Sequence, residues 1–395
     1  MDRQFTVCIC HINPNDGGYA EIDFPAQPYA LQDALDKVRF HEGEAPLISL
    51  DNCECDGMQQ VLNYRTPEKD TLSDIYGLNA LAGKMAEMDF LHVEIMSALV
   101  TREYSQSGIS IGRIYDLACS MDQCHYIDAS NDAGLGRFYA ENGFLPELED
   151  VSEEVFSKLD FKKIGQEMRE AEKGMYLDNG LGYAVLEGEI QEQYSKLELT
   201  PKEPDYTILL EVSEVNSGEM ELLKFPMESD AMDNILERYE AEGKANLSWR
   251  CADCAVPSLC DAVSTCESLT IINEAAYTMQ SLEKYQLLTV KALFAASGVA
   301  GLEDAVEKME AVDDVILCPG YSSPEDIGKD RLMTALDRKE AEMLIPFVNL
   351  YAYGQEVMRY CNMVMTEYGT IERRDGEPLM NQENKGPERG GMEMM

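Results

Sequence analysis

Four cysteines in the second half of the chain have a spacing that could bind a metal. In chain order they are Cys251, Cys254, Cys260 and Cys266, which form the pattern C-x2-C-x5-C-x5-C. Four thiolates can make a tetrahedral structural zinc site. Only the first pair has zinc-knuckle spacing, and cysteines in a reducing compartment are most often small buried hydrophobes. We therefore expect buried thiols and no cofactor, and we keep a zinc-binding interaction protein or metalloenzyme as an alternative.

Other residue types that carry catalysis occur in unsuitable patterns. None of the four histidines belongs to an H-E-x-x-H pattern or a comparable set of ligands. Gly328-Lys329 is followed by Asp330, whereas a phosphate loop needs Ser or Thr there. The segment 51–57 (DNCECDG) has cysteines at two positions where a calcium loop needs oxygen ligands. We therefore predict that the protein is not an enzyme.

The acidic residues of the chain are its most informative feature. The 395 residues include 74 Asp and Glu against 32 Lys and Arg, so the net charge is −42, while the hydrophobic fraction of 45% is enough for real cores. Residues 1–200 have a net charge of −22 and residues 201–395 one of −20, so the charge is spread over the chain. DNA, RNA and anionic membranes need cationic patches, which makes a basic partner the expectation. The alternative explanation of the acidic excess, which stays open, is solvation in a halophilic protein.

The N-terminus and the hydropathy predict a cytoplasmic protein. The opening run MDRQFTVCICH has no apolar core of signal-peptide length. No stretch reaches 18 apolar residues, because Lys291 and polar residues interrupt the best candidate at 287–300. Twelve cysteines in 395 residues are too few for a disulfide scaffold. We expect neither a membrane span nor a membrane partner.

The two halves of the chain match each other in sequence order. The offset between matched residues shrinks from 201 to 194 to 189 along the chain. The matches are Phe5-Thr6-Val7 with Tyr206-Thr207-Ile208, Phe24-Pro25 with Phe225-Pro226, Asn79 with Asn273, and Gly165-Gln166-Glu167 with Gly354-Gln355-Glu356. Loop deletions would produce a steadily shrinking offset, whereas chance matches would scatter. We therefore predict a tandem duplication.

The first part of each repeat is predicted to be rich in strands. In the first copy, strands at 5–12 and 19–24 are followed by a helix at 31–38. Alternation along the second strand puts Glu21 and Asp23 on its outer face. Asp33 and Asp36 are expected on the outer surface of the helix. The second copy has Leu222 and Lys224 opposite the two strand acids, so its charge pattern differs.

The remaining parts are predicted to be helical and then mixed. An apolar stripe from Leu78 to Leu99 predicts helices that cross a turn near Asp89. The third part has a strand at 124–127, a helix capped by Asn131, and a hairpin formed by 175–177 and 183–186.

These patterns define the predicted domain boundaries. Residues 1–187 form the first repeat and 206–372 the second. The segment 188–205 is polar, contains two prolines and is predicted to be a linker. The segment 373–395 has the composition of a disordered tail.

Several local runs, in this order, resemble the ArdA antirestriction proteins of conjugative plasmids and transposons. The likeness covers most of 5–187. It rests on Ile22-Asp23-Phe24-Pro25 before a short acidic helix, Leu78-Asn79-Ala80-Leu81, Ala140-Glu141-Asn142-Gly143 and the closing hairpin, and in the second repeat on the run YAYGQE at 351–356. The resemblance implies an acidic, elongated α+β protein with three small domains per unit. Such proteins imitate bent B-form DNA and occupy the DNA groove of type I restriction-modification enzymes.

The chain departs from the family in carrying two repeats. Family members are single-repeat proteins that pair into dimers. A monomer that acts as a pseudo-dimer and a homodimer therefore both remain open. The resemblance does not identify the antirestriction motif residue by residue.

The charge density independently favours DNA mimicry. B-DNA carries one charge per ~1.7 Å of axis, so 42 net negatives equal the charge on ~70 Å, or roughly 21 base pairs. Alternate strand residues repeat every ~6.6 Å, so Glu21 and Asp23 can approximate successive phosphates. We predict an inhibitor of a type I restriction-modification methyltransferase or endonuclease. An acidic inhibitor of another DNA-binding defence system, such as a CRISPR effector, is the alternative, because both grooves bind DNA.

The candidate partner-binding residues are acidic positions on predicted outer faces. They are Glu21, Asp23, Asp33, Asp36, Glu87, Glu94, Glu147, Glu149, Asp150, Glu153, Glu154, Glu237, Glu303, Asp304 and Glu307.

Overall fold

The computed structural model describes residues 3–11, 18–40, 44–53, 55–63, 71–148, 151–177, 180, 182–200, 203–214, 220–242 and 247–379. Within these ranges it contains helices together with small three-stranded sheets, which confirms the prediction of an α+β fold.

The helices of the described ranges, short 3-10 turns aside, are α1 (Pro28–Val38), α2 (Asp56–Asn63), α3 (Leu72–Met85), α4 (Phe90–Ser107), α5 (Ile111–Cys119), α6 (Asp132–Glu141), α7 (Glu153–Phe156), α8 (Phe161–Glu172), α9 (Ser229–Glu242), α10 (Cys260–Thr265), α11 (Leu269–Ser281), α12 (Lys284–Ser297), α13 (Leu302–Glu310), α14 (Pro324–Ala335), α15 (Arg338–Leu344) and α16 (Leu350–Cys361). The strands are β1 (Phe5–His11), β2 (Tyr19–Phe24), β3 (Pro46–Asp51), β4 (Cys124–Ile127), β5 (Met175–Tyr176), β6 (Tyr183–Leu186), β7 (Ile208–Glu214), β8 (Met220–Phe225), β9 (Leu247–Cys254), β10 (Val315–Cys318), β11 (Val364–Thr366) and β12 (Gly369–Arg373).

The chain divides into two compact units that interleave in sequence. The first comprises Met1–Cys8, Glu21–Ala26 and Ala45–Pro201. The second comprises Ile9–Ala20, Gln27–Glu44 and Lys202–Met395. Helix α1, which comes early in the chain, therefore belongs to the same unit as the second half.

The helical part of the first unit follows the predicted apolar stripe. Leu78, Leu81 and Met85 are fully buried on α3. The turn lies where it was predicted, because the Asp89 carboxylate caps α4 by accepting a hydrogen bond from the His92 N–H at 2.9 Å.

The last part of the first unit packs two helices beside a small sheet. The strand order is β4-β6-β5, and both pairings are antiparallel, which confirms the predicted hairpin. Asn131 caps α6 through the Gly134 N–H at 3.0 Å, also as predicted. Helices α6 and α8 approach closely at Gly136 and Gly165. A Cβ on Gly136 would lie 1.9 Å from the Phe161 carbonyl oxygen, so no side chain fits there.

The second unit is built around one large apolar cluster. Strands β7 and β8, helices α11 to α13 and the hairpin strand β12 all contribute buried side chains, including Ile208, Phe225, Met279 and Ile371. Its sheets have the orders β8-β7-β9 and β10-β12-β11. Helices α14 and α16 also approach at a glycine, since a Cβ on Gly354 would lie 1.6 Å from the Pro324 carbonyl oxygen.

The two halves contain corresponding elements in the same order. The series β1 to β6 with α1 to α8 has a counterpart, element by element, in β7 to β12 with α9 to α16. Strand orders agree, because β2-β1-β3 corresponds to β8-β7-β9 and β4-β6-β5 to β10-β12-β11. The peptide bonds Phe24-Pro25 and Phe225-Pro226 are both cis. The tandem duplication itself stays a prediction.

A matched pair of asparagines makes the same contacts in both halves. The Asn79 amide accepts from the Ala26 N–H at 2.7 Å and donates to the Ala26 carbonyl at 3.0 Å. The Asn273 amide does the same with Met227, at 2.7 and 3.0 Å. The sequence match of these two asparagines therefore corresponds to a matched structural role.

The first strand aligns two residues away from the predicted match. The Gln4 N–H donates to the Phe24 carbonyl and the Thr207 N–H to the Phe225 carbonyl, each at 2.8 Å. Gln4 therefore corresponds to Thr207, and Phe5 corresponds to Ile208 instead of Tyr206. A shift of two residues keeps every side chain on the same face, so apolar alternation cannot detect it.

The segment predicted to be a linker and the start of the predicted disordered tail both make hydrogen bonds with the fold. In the predicted linker 188–205, the N–H groups of Gln193 and Tyr194 donate to the Asp116 carboxylate at 2.7 and 2.8 Å. In the predicted tail, the Arg374 N–H donates to the Asp314 carbonyl at 2.9 Å, while residues 380–395 lie outside the described part of the chain. The polar composition of the two segments did not indicate these contacts, because each contact is made by a single side chain or backbone group.

Candidate partner-binding surface

The outer face of β2 carries acids at alternate positions, as predicted. Ala20 and Phe24 are buried, and Glu21 and Asp23 point to the exposed side. The Thr6 hydroxyl donates to Asp23 at 2.7 Å, and the Arg3 guanidinium lies 3.9 Å from the same carboxylate.

The corresponding strand of the second unit has a different outer face. Met220 and Leu222 are 64% and 56% exposed on β8, and Lys224 is exposed beside them. Lys224 pairs with Asp205 at 2.7 Å, and this hydrogen bond lowers the pKa of that carboxyl. The acidic face of β2 is thus absent from β8.

The prediction that Asp33 and Asp36 lie on an outer surface is wrong. Asp33 is 6% exposed and Asp36 is half-buried, because this face of α1 packs inside the second unit. The Lys291 ammonium lies 3.2 Å from Asp33 and 2.7 Å from Asp36. Asp33 is therefore enclosed, and Asp36 is paired with an internal cation instead of lying on an open outer face.

The other candidate acids fall into three groups. Exposed side chains are Glu87, Glu153, Glu154, Glu237, Glu303 and Glu307. Glu94 and Asp304 are half-buried. Glu149, Asp150 and the side chain of Glu147 lie outside the described residues.

Two of these candidates have structural partners of their own. Glu87 pairs with Lys84 at 2.6 Å, and this hydrogen bond raises the pKa of the lysine. Asp304 accepts from the Ala300 N–H and pairs with Lys308, both at 2.9 Å. Burial acts to raise the pKa of Asp304, but the two hydrogen bonds outweigh it and hold the pKa below its usual range.

Helix α13 presents a row of acids that the sequence showed only in part. Its inner face buries Leu302, Ala305, Val306 and Met309, which fixes the rotation of the helix. Glu303, Glu307 and Glu310 are exposed on the opposite side. We call these three residues the α13 acidic face. Glu303 and Glu307 are one helical turn apart, a rise of ~6 Å. The apolar period of α13 was the signal that could have identified Glu310.

The second-half cysteines do not assemble a metal site. The Cys254 thiol lies 3.9 Å from the Met279 sulfur, and the Cys266 thiol lies 3.5 Å from the Ser268 carbonyl. A hydrogen bond with Cys251 and burial raise the pKa of Cys260. In the described ranges, no three His, Cys, Asp or Glu side chains are grouped so that they could hold a metal ion.

The charged side chains that line a shallow cavity in the first unit make structural hydrogen bonds and ion pairs. It is lined by Asp74, Arg113, Asp116 and Tyr194, among others. Asp116 accepts the two backbone N–H groups of the 188–205 segment, and Arg113 pairs with Glu103 at 2.9 Å. The hydrogen bond to Glu103 raises the pKa of Arg113. These contacts stabilise the fold and do not form a nucleophile–base pair.

Comparison with known proteins does not assign the chain to a family. No family model matches the sequence, and no curated protein matches it significantly. Within the described residues, no helix combines the length and apolar character needed to cross a membrane.

Proposed function

We propose that the protein is a non-enzymatic DNA mimic that inhibits a type I restriction-modification enzyme by occupying its DNA-binding groove. The observation that carries this proposal is the acidic excess: if every Lys and Arg paired with one acid, 42 acids would still be unmatched. A basic groove that binds DNA by releasing counterions would bind such a surface in the same way. The activity needs no cofactor, and it is exerted in the cytoplasm, where restriction enzymes meet DNA.

On two exposed faces, the spacing of the acids supports the proposal. On β2, Glu21 and Asp23 repeat at the ~6.6 Å of alternate strand residues and are both exposed. On the α13 acidic face, a helical turn gives a spacing of ~6 Å. Both spacings suit a row of cationic side chains that normally contacts successive phosphates. The resemblance to ArdA proteins points to the same class of target.

We propose in addition that the chain arose by tandem duplication of an ArdA-like unit. The matching order of elements and the equivalent Asn79 and Asn273 contacts support this origin. The charges of the two copies have diverged. Strand β8 lacks the acids of β2, and helix α5, which corresponds to α13 in the first half, contains Arg113. The two copies therefore contribute unequally to partner binding.

Inhibition of a purified type I methyltransferase by matched variants tests the function. Replacing Glu303, Glu307 and Glu310 together by Gln removes three charges from one face. The control removes the same number from the exposed loop positions Glu189, Glu192 and Glu198. We expect the face variant to lose inhibitory potency about tenfold or more, at ~0.5–1 kcal/mol per charge pair, and the loop variant to lose much less. Equal losses would mean that bulk charge acts without a defined surface, and no inhibition by the unmodified protein would refute the proposal.

A further inference from the structure

Helix α1 is held in the second unit by residues that follow it by more than 200 positions. We call residues 27–40 the docking segment. It belongs to the second unit together with Lys202–Met395, although the chain from Ala45 to Pro201 belongs to the first. Contacts at its start, middle and end fix its position.

The start of the docking segment is capped by Asp253. Gln27, the residue at the N-cap position of α1, makes no side-chain capping hydrogen bond. The Asp253 carboxylate on β9, which is 2% exposed, instead accepts the Tyr29 N–H at 3.1 Å. A carboxylate at this position also interacts favourably with the helix dipole. The Tyr206 hydroxyl donates to the same carboxylate at 2.9 Å, and the Tyr29 hydroxyl donates to the Tyr206 carbonyl at 2.7 Å.

The middle of the docking segment surrounds a buried lysine. Lys291 of α12 is 4% exposed and pairs with both Asp33 and Asp36. The Tyr368 hydroxyl donates to Asp33 at 2.9 Å. Lys37 pairs with Asp33 at 3.1 Å and lies 5.6 Å from the centre of the Tyr368 ring. A buried ammonium requires such carboxylates, because an unpaired charge in this position would be strongly destabilising.

The end of the docking segment is fixed by Arg39. Its guanidinium donates to the carbonyls of Pro319 and Tyr321 at 2.9 and 3.0 Å and to the Ser322 hydroxyl at 3.3 Å. Arg39 has a left-handed backbone conformation with φ of 61°, which ends α1 and directs the side chain to this loop.

The corresponding helix of the second half keeps an acid, Glu237, at the position of Asp36 but lacks the other groups. At the offset of 201, the positions of Tyr29, Asp33 and Arg39 are occupied on α9 by Asp230, Asn234 and Glu240. The position of Lys291, at the offset of 194, is occupied in the first half by Ser97. The two halves therefore cannot exchange these helices reciprocally.

We propose that Asp253, Lys291, Tyr368 and the loop 319–322 form a built-in receptor that is specific for the docking segment. The receptor holds the two halves of the chain together without the peptide connection near residue 200. Because α9 lacks the counterparts of Tyr29, Asp33 and Arg39, and the first half lacks that of Lys291, the interaction closes within one chain and does not propagate from copy to copy. This inference is independent of the proposed target.

Cleavage of the folded full-length chain tests the proposal. A protease recognition sequence is inserted after the exposed Thr200, the folded protein is cut, and the fragments are followed by size-exclusion chromatography on serial dilution. We expect the cut wild-type chain to remain one particle. Lys291→Met should raise the dissociation constant of the fragments about 100-fold or more, since it removes the buried ammonium that pairs with both Asp33 and Asp36.

Matched variants distinguish the receptor from general destabilisation. Lys308→Met makes the same change in the same unit at an ion pair within one helix, and it should leave the cut chain intact. Asp36→Asn should shift the dissociation constant in the same direction as Lys291→Met with a smaller disturbance of folding, which circular dichroism verifies. The triple change Tyr29→Asp, Asp33→Asn and Arg39→Glu, which gives α1 the residues of α9, should release the fragments. Separation of the wild-type fragments on cleavage, or equal behaviour of the two lysine variants, would overturn the proposal.

Discussion

At the scale of single residues, burial decides which acids are accessible to a partner. Helical periodicity places Asp33 and Asp36 on the polar side of α1, which on an isolated helix would face water. In the folded chain that side faces Lys291, which lies more than 250 positions later. A buried cation far away in sequence leaves no local signal near the acids it pairs with. The sequence contained both partners, but only the fold brings them together.

Asp132 provides a pH-dependent test at this scale. Its carboxylate accepts from Arg169 at 2.9 Å and from the Tyr176 hydroxyl at 2.8 Å, and the hydrogen bond from Arg169 lowers its pKa below the ordinary 3.8. A group with a lowered pKa in the folded state stabilises the protein above its unfolded pKa, and this stability is lost as the pH falls through the folded pKa.

We therefore expect Asp132→Asn to reduce the free energy of unfolding by about 1–2 kcal/mol at neutral pH. The difference from wild type should shrink as the pH falls below 3.8. Urea unfolding of both proteins between neutral and acid pH measures it. A difference that stays constant with pH would mean that the charged pair contributes nothing and that only packing is lost.

At the scale of elements, alternation and capping predicted much of the fold. The bounds of β2 and β4, the cap of α6 and the turn before α4 agree with the sequence, because each depends on neighbouring residues. Strands β3 and β9 were not predicted, and the first strand was aligned two residues away. Strand pairing depends on partners distant in the chain, which a single sequence does not specify.

The two asparagine contacts predict a loss of stability in both halves. Asn79→Ala and Asn273→Ala each remove two hydrogen bonds to the backbone, although the Met227 carbonyl keeps the hydrogen bond from the Tyr277 hydroxyl at 3.0 Å. Each should cost about 1–3 kcal/mol of unfolding free energy. Urea unfolding provides the measurement.

Asn234→Ala is the control for both asparagine variants, because this exposed side chain makes one local bond to Asp230. Its effect should stay below ~0.5 kcal/mol. A loss of unfolding free energy for Asn79→Ala as small as that for Asn234→Ala would contradict a structural role for the hydrogen bonds between Asn79 and Ala26.

The close approach of α6 and α8 predicts opposite effects of the same substitution. Gly136→Ala places a Cβ against the Phe161 carbonyl and should destabilise the protein by about 1–3 kcal/mol or more. Gly83→Ala, within α3, meets no atom within 4 Å and should stabilise it by up to ~1 kcal/mol through helix propensity. Thermal unfolding of the two variants distinguishes them, and a neutral Gly136→Ala would show that the helices can move apart freely.

At the scale of the whole molecule, the charge is the property on which the proposed function rests. The net charge of −42 was evident from composition, but its distribution over faces was not. The structure removes Asp33 and Asp36 from the candidate surface and adds Glu310, while the proposed class of partner stays the same. Which face a helix exposes depends on tertiary packing, and that is why composition could not identify the surface.

Neutralising the β2 acids provides a test of the salt dependence. Glu21→Gln with Asp23→Asn removes two charges that would replace phosphates in a basic groove. The slope of log affinity against log salt should fall by ~1–2, as measured by titration of the purified methyltransferase at several salt concentrations. An unchanged slope would place the contact elsewhere on the molecule.

Competition with DNA tests the central claim most directly. A purified type I methyltransferase is saturated with a labelled duplex that carries its recognition site, and the acidic protein is titrated in. DNA mimicry predicts complete displacement of the duplex, with an apparent inhibition constant that rises in proportion to the duplex concentration. Simultaneous binding of protein and duplex to the same enzyme, with the duplex retained at saturation, would contradict the account.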